Sequence, residues 1–148
     1  MTTAFATGTD IHAEHLTLYE DLLQLDRGLN HLECYSEVFA NLAGVEEVKD
    51  LGRRLVAQLP DHFKREEQTV LAAAAQVSPE LAEICRELKS EHVELTAWVS
   101  AFGTALERFE TSDDLEQAIC QLKGAGRELT SYLRRHVAKE EDELSGFL

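Results

Sequence analysis

One pattern occurs twice in this chain of 148 residues: an isolated histidine, then His-x-x-x-Glu. His15 precedes His62-Phe63-Lys64-Arg65-Glu66 by 47 residues, and His92 precedes His136-Val137-Ala138-Lys139-Glu140 by 44. The contexts match as well: Glu14-His15 and Glu91-His92 before each pair, Glu66-Glu67 and Glu140-Glu141 at its end. On a helix, residues four apart lie on one face, a turn from each other. Each pair can therefore turn one imidazole and one carboxylate toward the same point. The doubling predicts one unit used twice, within a scaffold that brings the two copies together.

That scaffold is legible in four amphipathic stretches. Ile11, His15, Leu18, Leu22, Leu25, Leu29 and Leu32 alternate spacings of four and three. Val48, Leu55, Leu59, His62 and Glu66 follow a looser version. The third stretch is the most regular: Leu81, Cys85, Leu88, His92, Leu95, Val99, Phe102, Leu106 and Phe109. The fourth runs Leu115, Ile119, Leu122, Gly126, Leu129, Leu133, His136, Glu140 and Leu144. This is the period of helices packed at shallow angles, and it predicts an all-α, antiparallel up-down four-helix bundle over residues 10–148. Residues 1–9 are expected to form a flexible lead-in.

The breaks fit. Ser78-Pro79 offers an N-cap and a first-turn proline, and Thr111-Ser112-Asp113-Asp114 offers a cap and an acidic first turn. Gly44 is the expected stop of the first helix, and Pro60 is expected to kink the second just before His62. In an antiparallel hairpin, residues at one height are equidistant from the turn. The His62/Glu66 pair and His92 straddle residue 78, and His92 and the His136/Glu140 pair straddle residue 115. His15 and the His62/Glu66 pair straddle 39–40, short of Gly44, which predicts an irregular first connection or an extra short helix between about 34 and 45.

Composition narrows the partners. A formal charge of -14 argues against a nucleic-acid backbone or an anionic membrane. Cys34, Cys85 and Cys120 are odd in number and lack C-x-x-C spacing, which suits reduced thiols and a cytoplasmic setting. Cys85, on an apolar stripe, is read as a small buried hydrophobe. No apolar run approaches membrane-spanning length.

Six polar residues thus fall at one level of the seam, where Leu or Val would otherwise sit: His15, His62, Glu66, His92, His136 and Glu140. Burying them unpaired costs several kcal/mol per charged group. A pair of bound metal ions removes that cost. No cysteine shares the level, so a closed thiolate zinc site is not indicated; imidazole and carboxylate suit iron, with manganese or zinc also compatible. His12, a turn before His15, is a candidate supporting group, and His31 faces away. Trp98 and Phe63 are read as packing.

The ordered set His…His-x-x-x-Glu…His…His-x-x-x-Glu resembles the hemerythrin-like, or HHE cation-binding, family from about residue 10 to 145. The resemblance implies a four-helix bundle around a non-haem di-iron centre, oxo- or hydroxo-bridged. His15, His62, His92 and His136 are then terminal ligands, and Glu66 and Glu140 bridges. Two departures separate the chain from oxygen-carrying hemerythrins. Thr96 stands where their third helix has the second histidine of His-x-x-x-His, and their fourth-helix carboxylate spacing falls here on Glu141, off the His136 face. The four-histidine, two-glutamate variant implies binding or turnover of a small oxidant (O₂, peroxide or NO) rather than reversible O₂ carriage. Iron sensing or storage, and a metal-free interaction bundle, are the alternatives. Tyr19 sits one turn after His15, where it can pack at the core edge, coordinate, or be oxidised.

Overall fold

The computed structural model describes residues 8–32 and 42–148. Four long helices carry the described chain: α1 (Gly8–His31), α2 (Leu42–Gln68), α4 (Pro79–Thr111) and α5 (Leu115–Glu143). A single short helix, α3 (Val70–Ala75), extends the α2 arm, and a 3₁₀ turn (Ser145–Phe147) follows α5.

Around the bundle, α1 packs on α2, α2 on α4, α4 on α5, and α5 on α1. Every neighbouring pair runs antiparallel. Glu14, Asp21 and Gly28 of α1 meet His62, Arg54 and Val48 of α2 in falling order. His92, Trp98 and Phe102 of α4 likewise meet His136, Tyr132 and Gly126 of α5. The up-down bundle expected from the four stripes is the architecture found.

Two helix starts follow their capping chemistry. Ser78, in extended conformation, accepts a hydrogen bond on Oγ from the Leu81 amide at 3.1 Å, with Pro79 in the first turn. Asp114 Oδ1 accepts from the Gln117 amide at 3.1 Å, so the last acid of the predicted cap segment is the cap.

The first connection differs. α1 ends at His31, closed by a tight Leu32 N–H to Leu29 C=O bond of 3.1 Å. Gly44, expected to stop the first helix, lies inside the first turn of α2. Glycine's penalty is one of backbone entropy in a helix interior, and helix ends fray, so the first turn tolerates it. The extra short helix expected between about 34 and 45 falls largely outside the described residues. Pro60 sits within α2, which continues past it to Gln68. A break in this arm comes at Thr69, whose amide (3.0 Å) and Oγ1 (2.7 Å) both donate to the Arg65 carbonyl.

Buried side chains form two apolar clusters. The larger includes Leu22, Leu29, Leu55, Leu59, Phe102, Leu122 and Leu133. The smaller closes one end of the bundle with Ile11, Val70, Leu71, Ala74, Cys85, Leu88 and Leu144. On every long helix the His/Glu positions fall where the larger cluster gives way to the smaller: Ile11–His15–Leu18, Leu59–His62–Phe63–Glu66–Val70, Leu88–His92–Leu95, and Leu133–His136–Glu140–Leu144. The polar residues form a layer across the core.

Close helix approach in the larger cluster relies on Gly126. A Cβ there would lie 2.6 Å from Leu29 Cδ1 and 3.2 Å from Phe102 Cε1, whereas one at Gly124 would meet nothing within 4 Å. Gly126→Ala should therefore cost about 1–3 kcal/mol through overpacking, whereas Gly124→Ala should gain about 0.5–1 kcal/mol from helix propensity. Urea unfolding of the two variants checks the opposite signs.

Candidate metal centre

All six seam residues are buried: His15 and Glu66 at 0% exposure, Glu140 at 1%, and His136, His92 and His62 at 2, 3 and 6%. The structure brings every one of them together. His15 Nε2 lies 3.0 Å from Glu66 Oε2; His62 Nε2 and His92 Nε2 lie 3.1 and 3.3 Å from Glu66 Oε1. His136 Nε2 lies 2.9 Å from Glu140 Oε1, and His15 Nε2 lies 3.8 Å from the same oxygen. Two groups of donor atoms result, each within 4.8 Å of one another: His15, His62 and Glu66, and then Glu66, His92, His136 and Glu140. Glu66 belongs to both.

The opposite nitrogen of each imidazole is also engaged. His62 Nδ1 meets Glu14 at 2.8 Å, His92 Nδ1 meets Glu67 at 2.7 Å, His136 Nδ1 meets Glu91 at 2.8 Å, and His15 Nδ1 meets Glu141 at 2.7 Å. Each long helix thus gives one outer carboxylate to the next and receives one from the previous, in a closed ring α1→α2→α4→α5→α1. Cations hold two of these carboxylates: Arg65 Nη2 donates to Glu14 at 2.5 Å, and Lys139 Nζ to Glu91 at 2.9 Å. Burial opposes the charge on Glu14 and Glu91, but these cations and the imidazoles outweigh it, so both carboxyls sit below the usual range.

Ionised carboxylates only accept hydrogen bonds, so His62 and His136 donate from Nδ1. In the neutral ring Nε2 then carries a bare lone pair, aimed at another acceptor. His62 Nε2, His92 Nε2, His136 Nε2, Glu66 Oε1 and Glu140 Oε1 are all buried without a hydrogen-bond partner, despite their short separations. Such a layer needs positive charge at its centre: extra protons or a metal cation. The donors fit a cation.

The metal-free chain uses protons. Burial disfavours charge on His15, His62 and His136, yet the carboxylates around each ring (Glu66 for all three, Glu140 for His15 and His136, and the outer Glu141, Glu14 and Glu91) overcome it and raise all three above 6.5. Burial likewise opposes the Glu66 charge, but Glu140 and three imidazoles hold it well below 4.5. Glu140, pushed up by burial and by Glu66, rises to about 7.

Of the two fourth-helix candidates, Glu140 faces the layer, and Glu141, 26% exposed, bonds His15 Nδ1 and also His12 Nδ1 at 2.8 Å. His12 therefore supports the layer from outside, and His31 is exposed. Tyr19 is half-buried against the larger cluster, its hydroxyl pushed up by burial and by the charges of Glu141 and Glu140. Thr96 turns its hydroxyl to the His92 carbonyl at 2.7 Å. Phe63 packs as expected, stacked on the His92 ring with centroids 4.6 Å apart.

Sequence reasoning missed Glu14, Glu67 and Glu91. Their signal was visible as Glu-His and Glu-Glu doublets, but each serves a histidine on a different helix.

The sequence matches the hemerythrin HHE cation binding domain over residues 8–148. The chain belongs to the hemerythrin family. No curated protein and no solved structure matches it. The hemerythrin domain accounts for nearly the whole chain, and its cation-binding character agrees with a His/Glu layer that can hold a metal. Among the described residues, no helix is long and apolar enough to cross a membrane.

The proton count sets how the metal-free domain responds to pH. Stability falls with rising pH wherever the folded state binds more protons than the unfolded one. Glu140 does so between 4.5 and about 7, and the raised histidines from 6.5 upward. Glu14, Glu66 and Glu91, with lowered values, contribute stability that is lost as pH falls below 4.5. The metal-free protein should melt highest near pH 4.5 and lose stability from there toward pH 8, as thermal unfolding in chelator across that range will read.

Proposed function

We propose that this hemerythrin domain binds a pair of iron ions and uses them to bind or turn over a small oxidant: O₂, hydrogen peroxide or NO. The observation that carries the reading is the layer of buried, partnerless Nε2 atoms of His62, His92 and His136 facing the equally partnerless Oε1 atoms of Glu66 and Glu140. His15, His62 and Glu66 would hold one ion, and His92, His136, Glu66 and Glu140 the other. Glu66 suits a bridge because its Oε2 reaches toward His15 and its Oε1 toward His62 and His92. Glu140 Oε1 reaches His136 and, more distantly, His15, which favours a second bridge.

Iron bound there supplies one-electron redox change and coordination positions for the oxidant. Glu14, Glu67, Glu91 and Glu141 fix the four rings and keep the Nδ1 protons in place, which raises the basicity of Nε2. The apolar clusters on both sides exclude water. Imidazole with carboxylate favours iron, while manganese and zinc remain rival occupants. The exposed Cys120 and buried Cys85 are both free thiols, which suits the cytoplasmic setting we propose.

A second reading, an iron sensor or store, is favoured by the same orphaned layer, because the stability of the bundle then reports occupancy. Peroxide-consumption and NO-reaction assays separate the two: turnover supports the first, stoichiometric uptake without turnover the second. A protein that takes up no metal is an interaction bundle.

Occupancy should be visible in melting. A ligand at a thousand times its Kd adds about 4 kcal/mol, so chelation should lower Tm by on the order of 10 °C. Equal Tm values for loaded and chelated protein count against a buried site. Glu66→Ala should disturb both irons at once in Mössbauer spectra and metal analysis. Glu141→Ala should keep the coupled pair and weaken metal affinity about 10–100-fold, the usual effect of losing a group that orients a ligand.

A further inference from the structure

The doubled architecture provides its own control. Two clefts flank the layer at equivalent places. One, about 480 Å³, lies between α1 and α2 and is lined by Glu14, Leu18, Asp21, Gln58, His62 and Arg65. The other, about 410 Å³, lies between α4 and α5 and is lined by Glu91, Leu95, Trp98, Tyr132, His136 and Lys139. The correspondence runs residue by residue. Glutamate, leucine, histidine and a cation recur in both. Asp21 and Gln58 in the first cleft become Trp98 and Tyr132 in the second. Holding a metal does not require that difference, because the half that lacks the aromatics presents the same imidazole and outer carboxylate.

Trp98 and Tyr132 stack with ring centroids 5.3 Å apart at 21°. Trp98 rests against the larger apolar cluster, but Tyr132 is 38% exposed, and core packing does not account for it. Tyr132 stands one turn before His136 on α5, a spacing that brings side chains to about 5–6 Å between Cβ atoms. The pair therefore spans from solvent to an imidazole whose other edge faces the layer.

We propose that Trp98 and Tyr132 form an electron relay between solvent and the layer at His136, on the reading that the layer binds iron. Hydrogen peroxide is the oxidant of the step. One electron passes from Tyr132, with Trp98 sharing the vacancy, toward His136, and the phenolic proton passes to water. Arg135 lies 5.1 Å from the Tyr132 ring centroid, and this cation opposes a positively charged ring. The electron and proton therefore leave together. Two such transfers, with the two protons released, balance the reduction of one hydrogen peroxide to two waters. A soluble one-electron reductant, such as ascorbate, then returns an electron and a proton to each oxidised phenol. The relay draws oxidising equivalents to one surface and away from the ligands.

The test loads wild type, Tyr132→Phe, Trp98→Phe and Tyr19→Phe with ferrous iron, adds hydrogen peroxide, and freezes the samples for EPR. Peptide mass spectrometry then locates oxidation. The relay predicts an iron-dependent protein radical in wild type, most of it lost in Tyr132→Phe, with unchanged iron content and Tm. It predicts oxidation marks concentrated on Trp98 and Tyr132, persisting at Trp98 in Tyr132→Phe. A radical that survives Tyr132→Phe but disappears in Tyr19→Phe overturns the relay. So does bound iron with no radical and no mark at either residue, which leaves the iron reading intact. A protein that takes up no iron overturns both.

Discussion

An imidazole that gives its Nδ1 proton to a carboxylate presents a bare lone pair on its far edge. In this bundle three such nitrogens, on His62, His92 and His136, are left without a partner in one buried layer, and they face Glu66 and Glu140, which are acceptors too. The remaining structure depends on that confrontation. It divides the apolar core into a larger and a smaller cluster, and it places cation-seeking groups where water cannot satisfy them. Without an ion, the layer borrows protons: His15, His62, His136 and Glu140 all have their values raised. With one, those protons are competitors. Fold stability and metal chemistry are thus governed by the same few atoms.

The sequence disclosed much of this because seam periodicity and chemistry coincide. His15, His62, His92 and His136 occupy positions that otherwise hold leucine, so the helical period that predicts the bundle also predicts their convergence. Capping was legible at Ser78 itself and, as a segment, at 111–114, where Asp114 is the residue whose side chain bonds an amide a few residues on. What escaped was non-local. Glu14 is adjacent to His15 but turned about 100° from it by the helix, and it meets His62 on the neighbouring helix instead. Only the assembled bundle defines such pairs. Gly44 misled for the opposite reason: glycine suits a helix stop, but the first turn of a helix tolerates it as well.

Internal duplication also separates necessity from elaboration. Features present in both halves, the Glu-His and Glu-Glu doublets and the cation beside each cleft, belong to holding the layer. Features present in one half alone, Trp98 and Tyr132 foremost, need another explanation. Arg65 and Lys139 show the first kind, occupying equivalent places and serving equivalent carboxylates.

The ring of outer carboxylates has a further consequence, for topology. Leucine seams are indifferent to direction, because apolar attraction is non-directional, and a four-helix bundle can wind in either sense with much the same core. The ring cannot. Glu14 reaches α2, Glu67 reaches α4, Glu91 reaches α5 and Glu141 returns to α1, always in one rotational order. Winding the helices the other way would turn each donor from its acceptor and leave four imidazole–carboxylate hydrogen bonds unmade. The same hydrogen bonds that aim the imidazoles therefore select one of two mirror-related chain paths, and the site acts as the handedness determinant of its own scaffold.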